Sequence, residues 1–184
     1  MPELRRYDGA DEIPCELERQ VRSLLQAEWP APEGETGGPL IAPQWHPTHF
    51  ILAEGEMVCS NARTIWAQVT HLGRGLKLYG LGDVVTAPEL RGLGYGSRVV
   101  REATAHIRSD READAAVLLT GSGLEVFYRR CGWETVPGLE VRTDEYGEQH
   151  LGDSLPMMLF LSATAVRMRA GFHSSPLILP GDEW

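Results

Sequence analysis

Apolar and polar positions near the start of the chain alternate with the period of a helix. Residues 11–29 carry one apolar stripe at that spacing, which predicts an amphipathic helix with Pro14 in its first turn. The stripe consists of Leu17, Val21, Leu24 and Leu25. Residues 30–39 then combine prolines and glycines too densely for a regular element, so we expect a surface loop there.

Three extended segments follow, and turns that contain glycine separate them. Residues 49–60 favour strands on both sides of residues 54–55, which predicts a hairpin. Residues 62–69 keep this character up to a second turn at residues 73–75, and residues 76–86 return as a strand. The pattern therefore predicts three antiparallel strands in succession.

The second half of the chain predicts a helix between two strands. Apolar residues recur at helical spacing over residues 99–107, which predicts a helix of about four turns. Residues 115–120 form a short apolar run that is typical of a buried strand. The strands before and after the helix must then run parallel. Residues 123–133 predict a short helix closed by Gly132, and residues 155–161 predict the last clear strand.

Composition adds a broad class to this pattern. The 184 residues, 42% of them hydrophobic and 23% charged, suit a single domain over residues 1–184. No apolar run reaches the length of a membrane span, and the N-terminus lacks the apolar core of a signal peptide. Three widely spaced cysteines indicate reduced thiols, so we expect a soluble, cytoplasmic protein without a membrane partner. A net charge of −9 argues against nucleic acid and mildly favours a cationic small molecule.

Three glycines, Gly92, Gly94 and Gly96, lie where the predicted strand gives way to the predicted helix. The first N–H groups of a helix have no internal partner, and glycine lets the backbone approach a phosphate closely. This turn is therefore suited to a pyrophosphate. The G-x-G-x-G spacing after antiparallel strands excludes a dinucleotide-binding fingerprint, and Ser97-Arg98 stands where a P-loop needs Lys followed by Ser or Thr.

Two motifs resemble signatures of the GNAT acyltransferase superfamily. The sequence R-x-x-G-x-G at residues 91–96, preceded by V-x-T-x-P at residues 84–88, is similar to its coenzyme A signature. The sequence F-Y-x-x-x-G-W at residues 127–133 is similar to its second signature. Either motif alone reads equally well as a tight turn or as core packing. Together they imply the α/β (α+β) GNAT fold: a mixed, mostly antiparallel sheet with a V-shaped splay between two parallel strands, flanked by helices.

The resemblance also implies an activity and its residues. It implies an N-acetyltransferase that uses acetyl-CoA as cosubstrate and lets an amine attack the thioester directly. The pantetheine arm would pair with the backbone of Val84 and Thr86. Tyr128 would protonate the leaving thiolate, as a phenol with a pKa near 10 can; a buried packing tyrosine is the alternative. The implied cofactor-binding residues are Val84, Val85, Thr86, Arg91, Gly92, Leu93, Gly94, Tyr95, Gly96 and Ser97.

A narrower resemblance concerns the acceptor. The final G-D-E-W, residues 181–184, is similar to the G-D-x-W that ends the aminoglycoside 2'-N-acetyltransferases. That family implies that acidic groups at the chain's end reach an amino-sugar, so an aminoglycoside-like or other small polycationic amine is the expected acceptor. An ordinary solvated tail is the alternative. The implied substrate-binding residues are Glu33, Glu35, Asp153, Asp182 and Trp184.

The chain departs from that family at its catalytic acid. The family carries an acid nine positions before the motif arginine, where this chain has Gly82, and the nearest acid is Asp83. Neighbouring residues of a strand point to opposite faces, so only a bulge would turn Asp83 toward the site. Asp83 and Tyr128 are thus the candidate catalytic residues. The pair His46 and His49, separated by a proline, does not form a credible metal site, and we expect no metal.

Two other functions fit the same residues. One is a GNAT-fold sensor or interaction domain that binds CoA without turnover, which the missing strand acid favours. The other is a protein or peptide N-acetyltransferase, which an acidic tail disfavours. The superfamily suggests a homodimer by analogy alone.

Overall fold

The structure is a computed structural model, and the chain divides in it into two compact units. It describes residues 1–30, 40–143, 154–181 and 184, and the backbone of residues 149–150. The first unit contains Met1–Ile65 and Asp83–Ala103, and the second contains Trp66–Gly82 and Thr104–Trp184. Three elements run from one unit into the other: strand β3 (Met57–His71), strand β4 (Arg74–Thr86) and helix α2 (Tyr95–Ser109).

The first unit places a helix against antiparallel strands. Its remaining elements are β1 (Glu3–Tyr7), α1 (Cys15–Glu28) and β2 (Thr48–Glu54). Strand β2 pairs antiparallel with β1 and with β3, and its register on β3 shifts between Leu52 and Ala53. Buried side chains of α1 pack with buried side chains of β2 and β3 in one cluster, which includes Leu17, Val21, Ile51, Ala53 and Val58.

This unit confirms the predicted helix and hairpin and adds one strand. Helix α1 buries Leu17 and Val21 of the predicted stripe and half-buries Leu24 and Leu25, and Pro14 is its N-cap rather than part of its first turn. The hairpin turns at Gly55, whose φ of 62° suits glycine. Strand β1 was not predicted, because three of its five residues are charged and no apolar alternation marks it. Its backbone pairing with β2 holds it at the sheet.

The second unit is also mainly antiparallel. Its elements are β5 (Ala115–Thr120), α3 (Glu125–Arg130), β6 (Glu134–Thr135), β7 (Val141–Thr143), β8 (Gln149–His150), β9 (Leu155–Phe160), α4 (Ala163–Met168) and β10 (Leu177–Leu179). Strand β9 pairs antiparallel with β5 and β6, and β7 pairs antiparallel with β8. Strand β10 pairs parallel with β7. The second predicted turn lies at Leu72–Gly73, one residue earlier than expected.

The predicted parallel pair is present between β4 and β5. Residues 78–80 of β4 pair with residues 115–117 of β5, and the register ends there. Strand β4 nevertheless continues to Thr86 and β5 to Thr120. Pairing therefore stops before either strand ends, as the predicted splay requires.

The C-terminal segment belongs to the core of the second unit. Leu177 and Leu179 are buried in one cluster with Phe172, and Trp184 packs against that cluster. The expectation that β9 is the last strand was wrong, because β10 is too short for its alternation to be noticed: Ile178 alone is exposed between two buried leucines. Pairing with β7 anchors this apolar run. Within the described ranges, no helix has the length and apolar character needed to cross a membrane.

Candidate functional site

The glycine-rich segment is an exposed turn at the start of helix α2. Gly92 and Gly94 both have φ near 83°, a left-handed conformation that disfavours other residues. A Cβ at either position would meet nothing within 4 Å, so the backbone conformation, rather than crowding, requires glycine. Leu93 between them is 61% exposed although it is apolar. The segment thus presents bare backbone to solvent.

The first turn of α2 adds donors to this segment. The amide of Arg98 donates to the carbonyl of Gly94 at 3.1 Å, which makes Gly94 the residue at which helical bonding begins. The amides of Tyr95, Gly96 and Ser97 precede that first bond and have no partner along the helix. The helix dipole places positive potential at the same point. No acidic residue occurs in residues 91–97, so the residues present fit a diphosphate.

The Arg91 side chain already has partners. Its guanidinium donates to the Glu28 carboxylate at 2.6 Å and to the carbonyl of Thr86 at 3.2 Å. Both members of the ion pair are about half exposed, and exposed pairs contribute only about 0–1 kcal/mol. A phosphate can therefore replace Glu28 as the partner of Arg91 at small cost.

The end of β4 is braced by strand β3. The Ser60 hydroxyl donates to the carbonyl of Val85 at 2.8 Å and lies 2.9 Å from the Thr86 hydroxyl. The Val85 side chain is buried, whereas Val84 and Thr86 are partly exposed on the other face. The binding roles of these residues remain predictions.

Asp83 lies within strand β4, directly before Val84, and its backbone departs from regular strand geometry. Its φ is 53°, a left-handed value that non-glycine residues rarely adopt. Arg63 Nε donates to its Oδ2 at 2.6 Å, and Asn61 Nδ2 donates to its backbone carbonyl at 2.9 Å. From the sequence, a bulge was the one way to turn this acid toward the site. The structure has a left-handed backbone irregularity at Asp83 itself.

A buried histidine adjoins this ion pair. His49 on β2 is opposite Arg63 on β3 in the sheet register and is fully buried. Burial, and after it the positive charge of Arg63, lower its pKa to about 4 against smaller opposing effects of Asp83, Asn61 and Glu18. The ring is therefore neutral at neutral pH. Sequence reasoning missed His49, Asn61 and Arg63 as a group; polar residues inside strongly β-favouring runs were the available signal.

Tyr128 lies in the second unit on helix α3 and is buried. Burial, and after it the proximity of Cys131, raise its pKa to about 12 against the smaller opposing effect of a hydrogen bond with Thr120. Its carbonyl accepts the amides of Cys131 and Trp133, with Gly132 at φ 94° between them. The predicted closure by Gly132 is confirmed. A phenol this weakly acidic is suited to donating a hydrogen bond to a thiolate rather than to giving up its proton early.

The predicted acceptor residues fall mostly outside the described residues. Glu33, Glu35, Asp153 and Asp182 all do. Trp184 is described: its ring packs against the core of the second unit, and its Nε1 donates to the carbonyl of Pro180 at 2.6 Å. The ring thus has structural contacts of its own. Its role toward an acceptor remains a prediction.

Comparison with known proteins identifies the architecture. The family model for the acetyltransferase (GNAT) domain matches residues 35–136, more than half of the chain. No curated protein matches. Escherichia coli ElaA is similar in structure, with a TM-score of 0.60 and 18% identity over 86% of this chain and 99% of that one.

Two further similar structures contain ligands. Escherichia coli YhbS in complex with CoA has a TM-score of 0.56 and 15% identity, and the match covers 99% of this chain and 90% of that one. A GNAT family acetyltransferase from Brucella melitensis in complex with acetyl-CoA has a TM-score of 0.55 and 20% identity, with 98% and 94% covered. At these identities the likeness shows the fold.

The pKa of His49 makes stability depend on pH. The unfolded chain binds a proton at His49 below about pH 6.5, whereas the folded chain does so only below about pH 4. The free energy of unfolding should therefore fall by about 3 kcal/mol as the pH is lowered from about 6.5 to about 4. Above about pH 6.5 this group should have no effect on the free energy of unfolding. Urea unfolding at several pH values measures it. His49→Leu should flatten that slope, and His173→Gln at an exposed histidine should not; an unchanged slope in His49→Leu would contradict the assignment.

Proposed function

Because the chain belongs to the GNAT acetyltransferase family, we propose that it transfers the acetyl group of acetyl-CoA to an amine that attacks the thioester directly. The observation that carries this proposal is the exposed turn at residues 91–96, where two left-handed glycines precede the free amides of α2. This turn lies inside the segment that the family model matches. The ligands in the YhbS and Brucella structures support CoA as the molecule bound.

We assign the diphosphate to this turn. The amides of Tyr95, Gly96 and Ser97 would donate to phosphate oxygens, and the positive end of the α2 dipole would favour the charge. Arg91 would exchange Glu28 for a phosphate. The backbone of Val84 and Thr86 would pair with the pantetheine arm in the manner of an added strand.

The transfer itself requires few protein groups. Acetyl-CoA supplies the activated carbonyl: the amine nitrogen bonds to the carbonyl carbon, the carbon–sulfur bond breaks, and the thiolate leaves. A protonated acceptor amine must lose one proton before it can attack, and Asp83 is the carboxylate proposed to receive it directly or through water. The nitrogen loses a second proton as the amide forms, which balances the proton that the thiolate takes up to become the CoA thiol. Tyr128 is proposed to donate a hydrogen bond to the departing sulfur and then to protonate it. A hydrogen bond to a charged group contributes about 1.5–3 kcal/mol.

We propose a small polycationic amine, aminoglycoside-like or simpler, as the acceptor. The net charge of −9 and the resemblance carried by G-D-E-W at residues 181–184 support this choice. The pairing of β10 with β7 also supports it, because an anchored tail loses less entropy when it binds a ligand. A CoA-binding domain without turnover is less favoured now that a carboxylate occupies an irregular position in β4.

The acceptor proposal predicts a pattern of thiol release. With acetyl-CoA, kanamycin and spermidine should release CoA thiol, whereas a neutral N-terminal peptide should not. Asp182→Asn should raise KM for the amine at least tenfold and leave KM for acetyl-CoA unchanged, because the change acts on the proposed cation site. Release with the peptide alone would assign a protein acetyltransferase, and no release with any amine would leave the CoA-binding domain.

The diphosphate proposal predicts loss of CoA affinity in Gly94→Glu. The new carboxylate would oppose the phosphates, and we expect Kd for CoA to rise at least 100-fold by calorimetry. Gly55→Glu is a matched control, because Gly55 is also left-handed (φ 62°) and exposed, with nothing within 4 Å of a Cβ at that position, in a hairpin of the same unit. Equal affinity in the two folded variants would refute the assignment of this turn.

The proposed role of Tyr128 predicts a loss of turnover without a loss of binding. Tyr128→Phe removes only the phenol, so kcat should fall about 10- to 100-fold while Kd for CoA stays within twofold. Steady-state kinetics with the best amine of the panel and calorimetry with CoA measure the two effects. Wild-type kcat in this variant would remove Tyr128 from the reaction.

A further inference from the structure

Asp83 has an unusual backbone conformation for its place in the chain. Among the described non-glycine residues, His46, Leu72 and Asp83 have left-handed φ values, and of these only Asp83 lies within a strand. Such a conformation crowds the Cβ of an L-residue and persists only where its surroundings hold it. The interactions that hold Asp83 are therefore informative.

Strand β3 supplies two of these interactions from one face. Asn61 and Arg63 are two residues apart on β3, so their side chains point to the same side of the sheet. Asn61 Nδ2 donates to the backbone carbonyl of Asp83, and Arg63 Nε donates to its carboxylate. One donor thus fixes the peptide and the other fixes the side chain. We refer to Asn61 and Arg63 as the β3 clamp.

The β3 clamp is buried, and its charge depends on Asp83. The Arg63 side chain is 7% exposed, and a buried guanidinium requires a counter-charge. The groups that act on the neighbouring His49 are Glu18 from α1, Asn61 and Arg63 from β3, and Asp83 from β4. His49 itself is neutral, so it neither repels the guanidinium nor takes its counter-charge. The carboxylate of Asp83 is the anion bound directly to Arg63 Nε.

The two carboxylate oxygens of Asp83 are not equivalent. Oδ2 accepts from Arg63 Nε at 2.6 Å, whereas Oδ1 lies 3.4 Å from Arg63 Nη2. The Asp83 side chain is 23% exposed, so part of it reaches solvent while Arg63 does not. Oδ1 has the greater remaining capacity to accept a hydrogen bond.

We propose that the β3 clamp positions Asp83 for catalysis, with Oδ2 committed to Arg63 and Oδ1 turned to the acceptor amine or its bridging water. Asn61 and Arg63 are positioning residues, since they act through Asp83. The inference rests on the proposed function for the identity of the incoming group. The clamp itself rests on geometry alone.

Crystal structures of variants test the clamp without any turnover. In Arg63→Gln and in Asn61→Leu, the φ of Asp83 should leave the left-handed region or its carboxylate should become mobile. Asp83→Asn should keep the conformation, because asparagine tolerates it better than other residues do. Should Arg63→Gln not fold, Arg63→Lys keeps the charge and removes the Nε donor. An unchanged φ and carboxylate position in both an Asn61 and an Arg63 variant would overturn the clamp.

Kinetics test what the clamp is for. Arg63→Gln and Asp83→Asn should each lower kcat/KM for the amine at least tenfold and leave KM for acetyl-CoA unchanged. Because Arg63 is proposed to act through Asp83, the double variant should be no worse than Asp83→Asn alone. Multiplied losses would indicate a separate structural effect and overturn the positioning role. Arg6→Gln, which removes an exposed arginine–aspartate pair of similar length, is the control and should be neutral.

The two proposals fail in different ways. If the wild-type chain binds CoA but releases no thiol with any amine, the proposed function is refuted, and so is the placement of the amine at Oδ1. The crystal structures of the variants still test whether Asn61 and Arg63 hold Asp83. If the wild type is active and Asp83→Asn is equally active, the function stands and the inference is refuted.

Discussion

The buried guanidinium of Arg63 is a strong constraint on the strands of the first unit. Removing one partner of a buried ion pair costs about 3–5 kcal/mol, because the other charge remains unpaired. Arg63 lies inside a sheet between a neutral histidine on β2 and a carboxylate on β4. The carboxylate therefore cannot leave without a large penalty. That penalty exceeds the roughly 1–2 kcal/mol of a left-handed non-glycine residue, so the strained backbone at Asp83 is the less costly alternative.

The buried ion pair at the end of β4 contrasts with the exposed ion pair in the turn that follows the strand. The turn at residues 91–96 has open space around its glycines and one exposed ion pair between Arg91 and Glu28. An ion pair in water contributes little, and its loss on ligand binding is correspondingly cheap. The same segment of chain therefore combines a fixed carboxylate with a backbone that remains available to an anion. The difference arises from burial, since both pairs join an arginine to a carboxylate at 2.6 Å.

Much of the fold was predictable because its elements carry local signals. The stripe of α1, the glycine at the β2–β3 turn and the apolar run of β5 each identify one element without tertiary information. Strands β1 and β10 escaped prediction, since a charged edge strand and a three-residue strand are specified by pairing rather than by pattern. The motifs indicated the GNAT family, which the family model bears out. The grouping of His49, Asn61 and Arg63 around Asp83 was not predicted, because no single residue type identifies a left-handed φ angle in a sequence.

Asp83 departs from the regular alternation of strand β4. In a regular strand, adjacent side chains point to opposite faces, so Asp83 would point to the face opposite that of Gly82, where the resemblance led us to expect an acid. A single left-handed residue breaks that alternation locally, as bulges do. The break has to be held, because it forfeits regular strand geometry. Asn61 holds the peptide and Arg63 holds the carboxylate, both from the adjacent strand and both from one face. An acid at this position thus depends on two neighbours that a regular strand would not need.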